Sequence, residues 1–355
     1  MFRQMSETFQ SLVAMLLALA AGTAIFLTIA NRILTLMRDG PAKKAALLTA
    51  FVLSVGSFLA IALVIGGPTR GVLIVGTLFL LLAGECRRLL LRRIHAGSRP
   101  VDSVPHPFQL ARPFTTTNIV THRYEIRVPG WRGSSVCIAH ISDLHVSDQI
   151  PESYFRNVFD LAAETSPDFV FVTGDIISDA AALPIVKRIL RRVGRRGIFA
   201  VLGNHDYYAD APAVRRTVSE AGIKTLNCES VTAGDSILIT GLDHPWGDRG
   251  FEVPSAGAGT LHLVLSHTPD NIYRLARTTA NCVFSGHLHA GQFRIPHFGP
   301  FVAPSVYGRR FDHGHFIVRD THLFVASGVG ASGPAFRIYC QPDIFIIDIK
   351  GSGAA

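Results

Sequence analysis

A chain of 355 residues has room for more than one domain, and a hydrophobic fraction of 48% with a mean hydropathy of +0.31 exceeds what a purely water-exposed fold carries. A formal net charge of +8 would suggest nucleic acid if it were spread over the chain. Residues 1–100, however, hold 11 of the 34 Lys/Arg and only 3 of the 26 Asp/Glu, so the rest is formally neutral. The basic balance therefore reads as membrane topology, and nucleic acid is not an expected partner. The five cysteines (Cys86, Cys137, Cys228, Cys282, Cys340) form no C-x-x-C pair and leave one over from full disulfide pairing. That fits a reducing compartment and gives cysteine no metal role.

Ser11 to Ala30 is an uncharged apolar run of about 20 residues, the length a helix needs to cross the hydrocarbon core. Ala45 to Gly67 is a second such run. Gly71 to Gly84 is a third, which reaches Leu91 if Arg87 and Arg88 snorkel to the interface. A cleaved signal peptide would explain only the first run. Residues 1–94 are therefore expected to form about three transmembrane helices, the alternative being two spans and an interfacial third segment. Arg32, Arg38, Lys43 and Lys44 lie between the first two runs, Arg87, Arg88, Arg92 and Arg93 follow the third, and Arg70 alone marks the remaining loop. The positive-inside rule then puts the N-terminus outside and everything after Arg93 in the cytoplasm, as expected of a multi-pass protein of the plasma (inner) membrane. With no charged side chain inside the first two runs, a transport pathway has nothing to build it.

Residues 95–122 have linker composition, with Pro100, Pro105, Pro107, Pro113 and Thr115 to Thr117. A catalytic domain is expected over residues 123–350. Ser135 to Ser142 reads as a strand, Pro151 to Glu164 as a helix, Asp168 to Thr173 as a strand, Ala181 to Val193 as a helix and Ile198 to Leu202 as a strand. This alternation implies parallel pairing with right-handed crossovers. Further strands are expected over Ser236 to Thr240, Leu261 to Ser266, Cys282 to Ser285, Phe316 to Arg319, Leu323 to Ala326 and Asp343 to Ile349. The fold class is α/β: a two-sheet α/β sandwich with a site along one edge, preceded by the all-α membrane region.

Polar motifs follow the apolar strands, where sites form in open α/β sheets. They are Asp143-x-His145, Gly174-Asp175, Gly203-Asn204-His205-Asp206, Ser266-His267 and Gly286-His287-x-His289. A spacing of two aims both side chains of a pair from one extended stretch. Any one motif occurs by chance, and Gly-Asn-His-Asp serves a turn equally well. Five in succession, each after a β-type run, do not. Asp, Asn and His donors without thiolate suit divalent Mn²⁺, Fe²⁺ or Zn²⁺.

In this order the motifs closely resemble the signature of the calcineurin-like metallophosphoesterases, D-x-H, G-D, G-N-H-D/E, H and G-H-x-H, from about Val136 to His289. Leu265 to Asp270, Ser285 to Gln292 and Ser327 to Gly330 are also similar to the bacterial membrane-associated branch, which includes phosphodiesterases and UDP-2,3-diacylglucosamine pyrophosphatases. The resemblance implies that Asp143, His145 and His289 hold one metal ion and Asn204, His267 and His287 another, with Asp175 bridging. Two divalent ions, Mn²⁺ foremost, would polarise a phosphoryl oxygen and supply a hydroxide for in-line attack. His205 would act on the substrate phosphate or leaving oxygen, oriented by Asp206. The expected activity is hydrolysis of a phosphodiester or diphosphate bond, of a lipid-linked substrate such as UDP-2,3-diacylglucosamine. Alternatives are a broad phosphodiesterase or phosphomonoesterase on soluble substrates, and a non-enzymatic metal-dependent membrane scaffold or sensor. Arg309, Arg310 and Arg337 are further candidates for a second phosphate, and Tyr207, Tyr208, Phe293 and Trp246 for an apolar wall.

Overall fold

The computed structural model describes residues 2–351 except 35–36, 38–39, 66, 105–111, 191–193, 235, 243–249 and 297. Arg38, Pro105, Pro107 and Trp246 lie outside the described residues. The chain divides into two compact units, Met1–Ile94 with Pro304–Arg310, and His95–Ala303 with Phe311–Ala355.

The first unit holds helices α1 (Phe2–Arg32), α2 (Pro41–Val64) and α3 (Gly67–Ile94). Small residues let α1 and α2 approach closely: a Cβ on Gly22 would stand 2.8 Å from Ser54 O and Val55 Cα. Phe26 and Phe51 meet edge to face at 5.3 Å, and Ala18, Ala62 and Ile74 are buried together. The outward side chains include exposed Leu16, Leu48, Leu53, Leu63 and Val64, a surface that hydrocarbon tolerates far better than water. Two stretches, Thr8–Arg32 and Pro41–Val64, are long and apolar enough to cross a membrane. The expected third span is not clearly one. Helix α3 is 28 residues long, but Glu85, Arg87, Arg88, Arg92 and Arg93 crowd its last turns. Its uncharged run from Gly71 to Gly84 rises only about 21 Å, against a hydrocarbon core of about 30 Å.

Three of those charges have partners inside the same unit. Glu85 accepts from Arg88 (2.7 Å) and from Arg309 (2.8 Å), while Arg88 and Arg92 donate to the carbonyls of Arg309 (3.2 Å) and Arg310 (3.1 Å). Arg309 is thus occupied with α3.

The second unit is a sandwich of two sheets. The first has seven strands in the order β1 (Asp102–Val104), β2 (Val120–Val128), β15 (Asp343–Gly351), β3 (Val136–Ile141), β4 (Phe169–Thr173), β5 (Gly197–Val201) and β6 (Lys224–Thr225). Strands β3 to β6 run parallel. The second has six, in the order β13 (Gly314–Val318), β14 (Thr321–Val325), β10 (Cys282–Ser285), β9 (Leu261–Ser266), β8 (Ile237–Leu242) and β7 (Glu229–Thr232), with β14, β10, β9 and β8 parallel. A small hairpin pairs β11 (Arg294–Ile295) with β12 (Gly299–Pro300). The helices are α4 (Glu152–Glu164), α5 (Leu183–Ile189), α6 (Asn204–Ala209), α7 (Ala211–Glu220) and the single turn α8 (Ile272–Leu275).

The period-two pattern of the central strands builds two cores at once. Phe169, Phe171, Phe199, Val201, Phe345 and Ile347 face the second sheet, meeting Leu263, Leu265, Phe284 and Phe324. Their neighbours Val170, Val172, Ile198, Ala200, Ile344 and Ile346 face the helices. Helix α4 supplies Phe155, Val158, Phe159 and Ala162, an i, i+3, i+4, i+7 stripe, with Val186 and Ile189 of α5 and Val214 and Val218 of α7 beside it. Parallel strands buried on both faces read as continuous apolar runs, which is why these segments stand out in the sequence.

Two expectations shift at this level, and two helices go unread in the sequence. The stretch read as linker contains β1 and the start of β2, paired through Asp102 with Arg123 and Val104 with Thr121. The helix expected from Ala181 to Val193 is, among the described residues, a 3₁₀ turn followed by α5, which ends at Ile189; its last three positions, 191–193, lie outside the described residues. Helices α6 and α7 were hidden by the turn chemistry of Gly-Asn-His-Asp and by Pro212, which sits in the first turn of α7.

Phe171 is fully buried between the sheets, 5.0 Å from Phe284 and 6.1 Å from Phe169 by ring centroids. Phe171→Ala is expected to destabilise the second unit by about 3–5 kcal/mol, read as a lowered denaturation midpoint of the full-length protein in detergent. An unchanged midpoint would refute this account of the core.

Candidate metal centre

Five strand ends converge. From the first sheet, β3 delivers Asp143 and His145, β4 delivers Asp175, and β5 delivers Asn204, His205 and Asp206 at the start of α6. From the second, β9 delivers His267 and β10 delivers His287 and His289. Main-chain bonds tie the loops together: Asp143 N–H to Gly174 O (3.0 Å), His145 N–H to Asp175 O (2.9 Å), Gly286 N–H to His267 O (2.9 Å) and Gly330 N–H to Asp143 O (2.7 Å).

Asp143 (φ 49°), His145 (43°), Asp175 (49°), His287 (69°) and His289 (49°) all occupy the left-handed region. For residues other than glycine each such conformation costs about 1–3 kcal/mol and persists only where the surroundings over-determine it. Glycine clears the space around the carboxylates. A Cβ on Gly203 would fall on Asp175 Oδ1, and one on Gly286 on Ser142 Oγ and Asp143 Oδ2. These are close-approach glycines, which the motif spacing alone does not reveal.

Asp175, 1% exposed, is the hub. Its Oδ2 lies 3.4 Å from both His145 Nε2 and His267 Nε2, and its Oδ1 accepts the His205 N–H at 2.9 Å. On one side His145 Nε2 and His289 Nε2 face each other at 3.1 Å, with His289 Nε2 3.6 Å from Asp143 Oδ1. On the other, His267 Nε2 is 3.1 Å from His287 Nδ1 and 3.2 Å from Asn204 Oδ1. The donor atoms of Asp143, His145, Asp175 and His289, and those of Asp175, His267 and His287, form two groups each within 4.8 Å, sharing Asp175.

The protonation states suit cations. Burial pushes His145 down to about 4 and His287 to about 3; His289 falls well below the usual value through burial and its neighbours His145 and Arg337. Neutral imidazole is the ligating form. Burial would lower His267 too, but the charge and hydrogen bond of Asp175, with Asp143, raise it to about 9. Asp175 moves the opposite way: burial would raise it, but His267, His145 and His205 hold it well below the carboxylate range. Burial pushes Asp143 up, opposed by His267 and helped by the Asp175 charge. Without a cation, this cluster makes one histidine carry the positive charge that two carboxylates need. Ring nitrogens of ligand-type histidines facing one another across about 3 Å, and a buried His287 Nε2 with no hydrogen-bond partner, fit a centre built around cations.

His205 is half-buried at the rim, its ring 4.7 Å from that of His145 and its Nε2 3.5 Å from Ser332 Oγ. Asp206 is fully buried: one oxygen accepts from Ile176 N–H (2.9 Å) and Ile177 N–H (3.1 Å), the other from Gly203 N–H (2.9 Å). Its carboxylate clamps the β4 and β5 loops, so its hold on His205 runs through the main chain. Arg337 is completely buried, donating to Gly330 O (2.8 Å), Ser327 O (2.8 Å) and Gly328 O (3.0 Å), and lying 3.4 Å from His289 Nδ1. It braces a loop; the phosphate role considered for it from sequence is not supported. Gln292 went unnoticed in the sequence beyond its place after Gly291. Its amide donates to the carbonyls of Ser332, Pro334 and Phe336 and accepts from Ser332 N–H, which shapes the loop facing His205. Tyr207 bonds Arg215, Tyr208 lies 5.7 Å from the His205 ring, and Phe293 packs on Phe336.

Residues 137–291 match the family model described as calcineurin-like phosphoesterase. The uncharacterized metallophosphoesterase YkuE of Bacillus subtilis is 26% identical over 263 residues, covering 70% of this chain and 87% of its own. The phosphodiesterase YaeI of Escherichia coli is 26% identical over 221 residues, covering 60% and 81%. The UDP-2,3-diacylglucosamine pyrophosphatase LpxG of Chlamydia trachomatis is 26% identical over 214 residues, covering 45% and 65%. The matched segment begins in β3 and ends just past His289, so it contains all five converging strand ends. Residues 137–291 are thus similar to calcineurin-like phosphoesterases, and the chain is a metal-dependent phosphoester hydrolase.

Proposed function

We propose that the second unit hydrolyses a phosphodiester or diphosphate bond at the convergence of the two sheets, using two divalent cations, Mn²⁺ foremost. Asp143, His145 and His289 hold one ion, Asn204, His267 and His287 the other, and Asp175 reaches both. The observation that carries this is the pair of donor groups sharing Asp175. When bound, the ions polarise a phosphoryl oxygen and lower the pKa of water. The chain does the rest. Asp206 and the N–H of His205 on Asp175 fix the loop, so that the half-buried imidazole of His205 stands at the open side of the centre. From there it stabilises charge on the phosphoryl group or protonates the leaving oxygen.

The finer reading assigns residues 1–94 as a membrane anchor of two spans with α3 as an interfacial segment, and residues 123–350 as the catalytic domain facing the cytoplasm, tethered through the residues between. The substrate is a phosphate or diphosphate on an acylated head group. Support comes from the two long apolar helices, the basic clusters beside them and the similarity to LpxG. The short tether raises the local concentration of a lipid-borne substrate and gives none to a soluble one.

Asp175→Ala is expected to lower metal content below that of the wild type by elemental analysis and activity by at least about 100-fold. Gly203→Ala should do the same, its methyl displacing the Asp175 carboxylate. Full metal content and activity in both variants would exclude the shared carboxylate. His205→Ala should instead keep its metals while kcat falls about 10²-fold or more, less for aryl esters whose leaving groups barely need a proton. Loss of metal there would make His205 a ligand. A C-terminal reporter should be active only as a cytoplasmic reporter, and kcat/KM should drop about tenfold or more on removing the acyl chains. A periplasm-active reporter overturns the topology; equal rates with and without acyl chains overturn the lipid substrate.

A further inference from the structure

Outside the converging strand ends, a second set of metal-type donors meets at the other edge of the β15 pairing. Asp343 opens β15, His122 lies on the adjacent β2 opposite Phe345, and His313 precedes β13. Three segments distant in sequence thus bring two imidazoles to one carboxylate that is 1% exposed. His313 Nε2 is 2.5 Å and His122 Nε2 3.9 Å from the same oxygen, Asp343 Oδ2, and the ligand atoms of all three residues lie within 4.8 Å of one another. None of the three is a donor in the strand-end groups.

Each of two members has the outer support that fixes metal ligands. His122 Nδ1 is 2.7 Å from Ser103 Oγ, which leaves Nε2 to face the carboxylate, and Asp343 Oδ1 accepts the Ser327 N–H at 2.8 Å, which leaves Oδ2 to face the imidazoles. Burial also holds the His122 pKa below its ordinary value, favouring the neutral, ligating form. A cavity of about 230 Å³ borders the trio and is lined further by Arg112, Thr115, Arg294 and Tyr339, leaving room for water or an anion to complete a coordination sphere. Arg294 opposes a cation little, because Asp312 at 3.0 Å and the Ala290 carbonyl at 2.7 Å take its charge and protons.

We propose that His122, His313 and Asp343 form an additional metal site that takes one divalent cation of the Zn²⁺ class. Two imidazoles, one carboxylate and no thiolate, with an open face, are the donor set of three-ligand zinc and related first-row sites. Its task is structural. The ion joins β2, β15 and the segment before β13, and through Ser327 it steadies the turn whose Gly328 and Gly330 abut Asp143 and Leu144.

The test strips the full-length detergent-solubilised protein with chelator, reloads it with Zn²⁺ alone and counts ions by elemental analysis. His122→Ala and His313→Ala should each bind one ion fewer than the wild type. The same one-ion difference should separate Asp175→Ala from Asp175→Ala/His313→Ala, which keeps this result independent of the strand-end centre. Loaded with Co²⁺, Asp175→Ala should show a visible absorption band that His313→Ala removes. Equal ion counts in the wild type and a folded variant, judged by circular dichroism, would overturn the site and leave a histidine–carboxylate ion pair. If His313→Ala does not fold, His122→Asn decides by the same count.

Discussion

An anionic carboxylate that is 1% exposed organises the centre. Taking an isolated carboxylate out of water costs several kcal/mol even after relaxation, so Asp175 requires positive charge and hydrogen-bond donors within reach. Without cations the chain answers with a protonated His267, the His145 ring and the His205 N–H, and the pKa directions of Asp175 and His267 are two faces of that one interaction. Two cations would answer it better, because they would also satisfy the imidazole nitrogens that confront each other at 3.1 Å. The other donors are arranged about this requirement.

Holding the arrangement needs a scaffold that does not yield. Five donor residues sit at positive φ, and strain of about 1–3 kcal/mol at each would relax if the strand ends could shift. They cannot, because β3, β4 and β5 are packed on both faces, by aromatic rings of the inter-sheet core on one and by α4, α5 and α7 on the other. Asp206, binding three main-chain N–H groups, and Arg337, donating to three carbonyls, lock the loops from outside the donor set. A buried charge that clamps backbone is costly to remove, since it leaves several polar groups unpaired at once.

The residues that converge at the strand ends stand out in the sequence for a physical reason. Each follows a strand buried on both faces, and such strands read as unbroken apolar runs whose ends are visible, as Phe169 to Thr173 and Leu261 to Ser266 show. Elements that depend on long-range pairing were not legible. Strand β2 alternates Val120, His122, Tyr124, Ile126 and Val128 with polar residues, and it is held by β15, more than 200 residues away. The Pro-rich stretch before it pulled that reading toward a linker. Arg337 stood out as a phosphate candidate because nothing local marks a guanidinium as buried; in the fold it is spent on the carbonyls of Ser327, Gly328 and Gly330. The third apolar helix shows the limit in the other direction. Composition made Gly71 to Gly84 look like a span, while the helix itself runs on through Glu85 and four arginines, of which Arg88 and Arg92 bind within its own unit.

Charge is partitioned between the two parts of the chain, and that bears on how a substrate is chosen. The excess of basic residues lies in the first 100 positions, so the part carrying the centre is formally neutral. A neutral domain has no long-range field to gather soluble polyanions, and at physiological salt any local patch is screened beyond about 8 Å. Attraction to phosphate is then confined to the centre itself, where every phosphoester looks much alike. Discrimination has to come from elsewhere: from the loop that Gln292 and Ser332 shape beside His205, and from whatever raises the concentration of one substrate over another. If the apolar helices anchor the chain as proposed, effective concentration at the bilayer is the larger of these two influences for a lipid-borne phosphoester, because it acts without a single added contact.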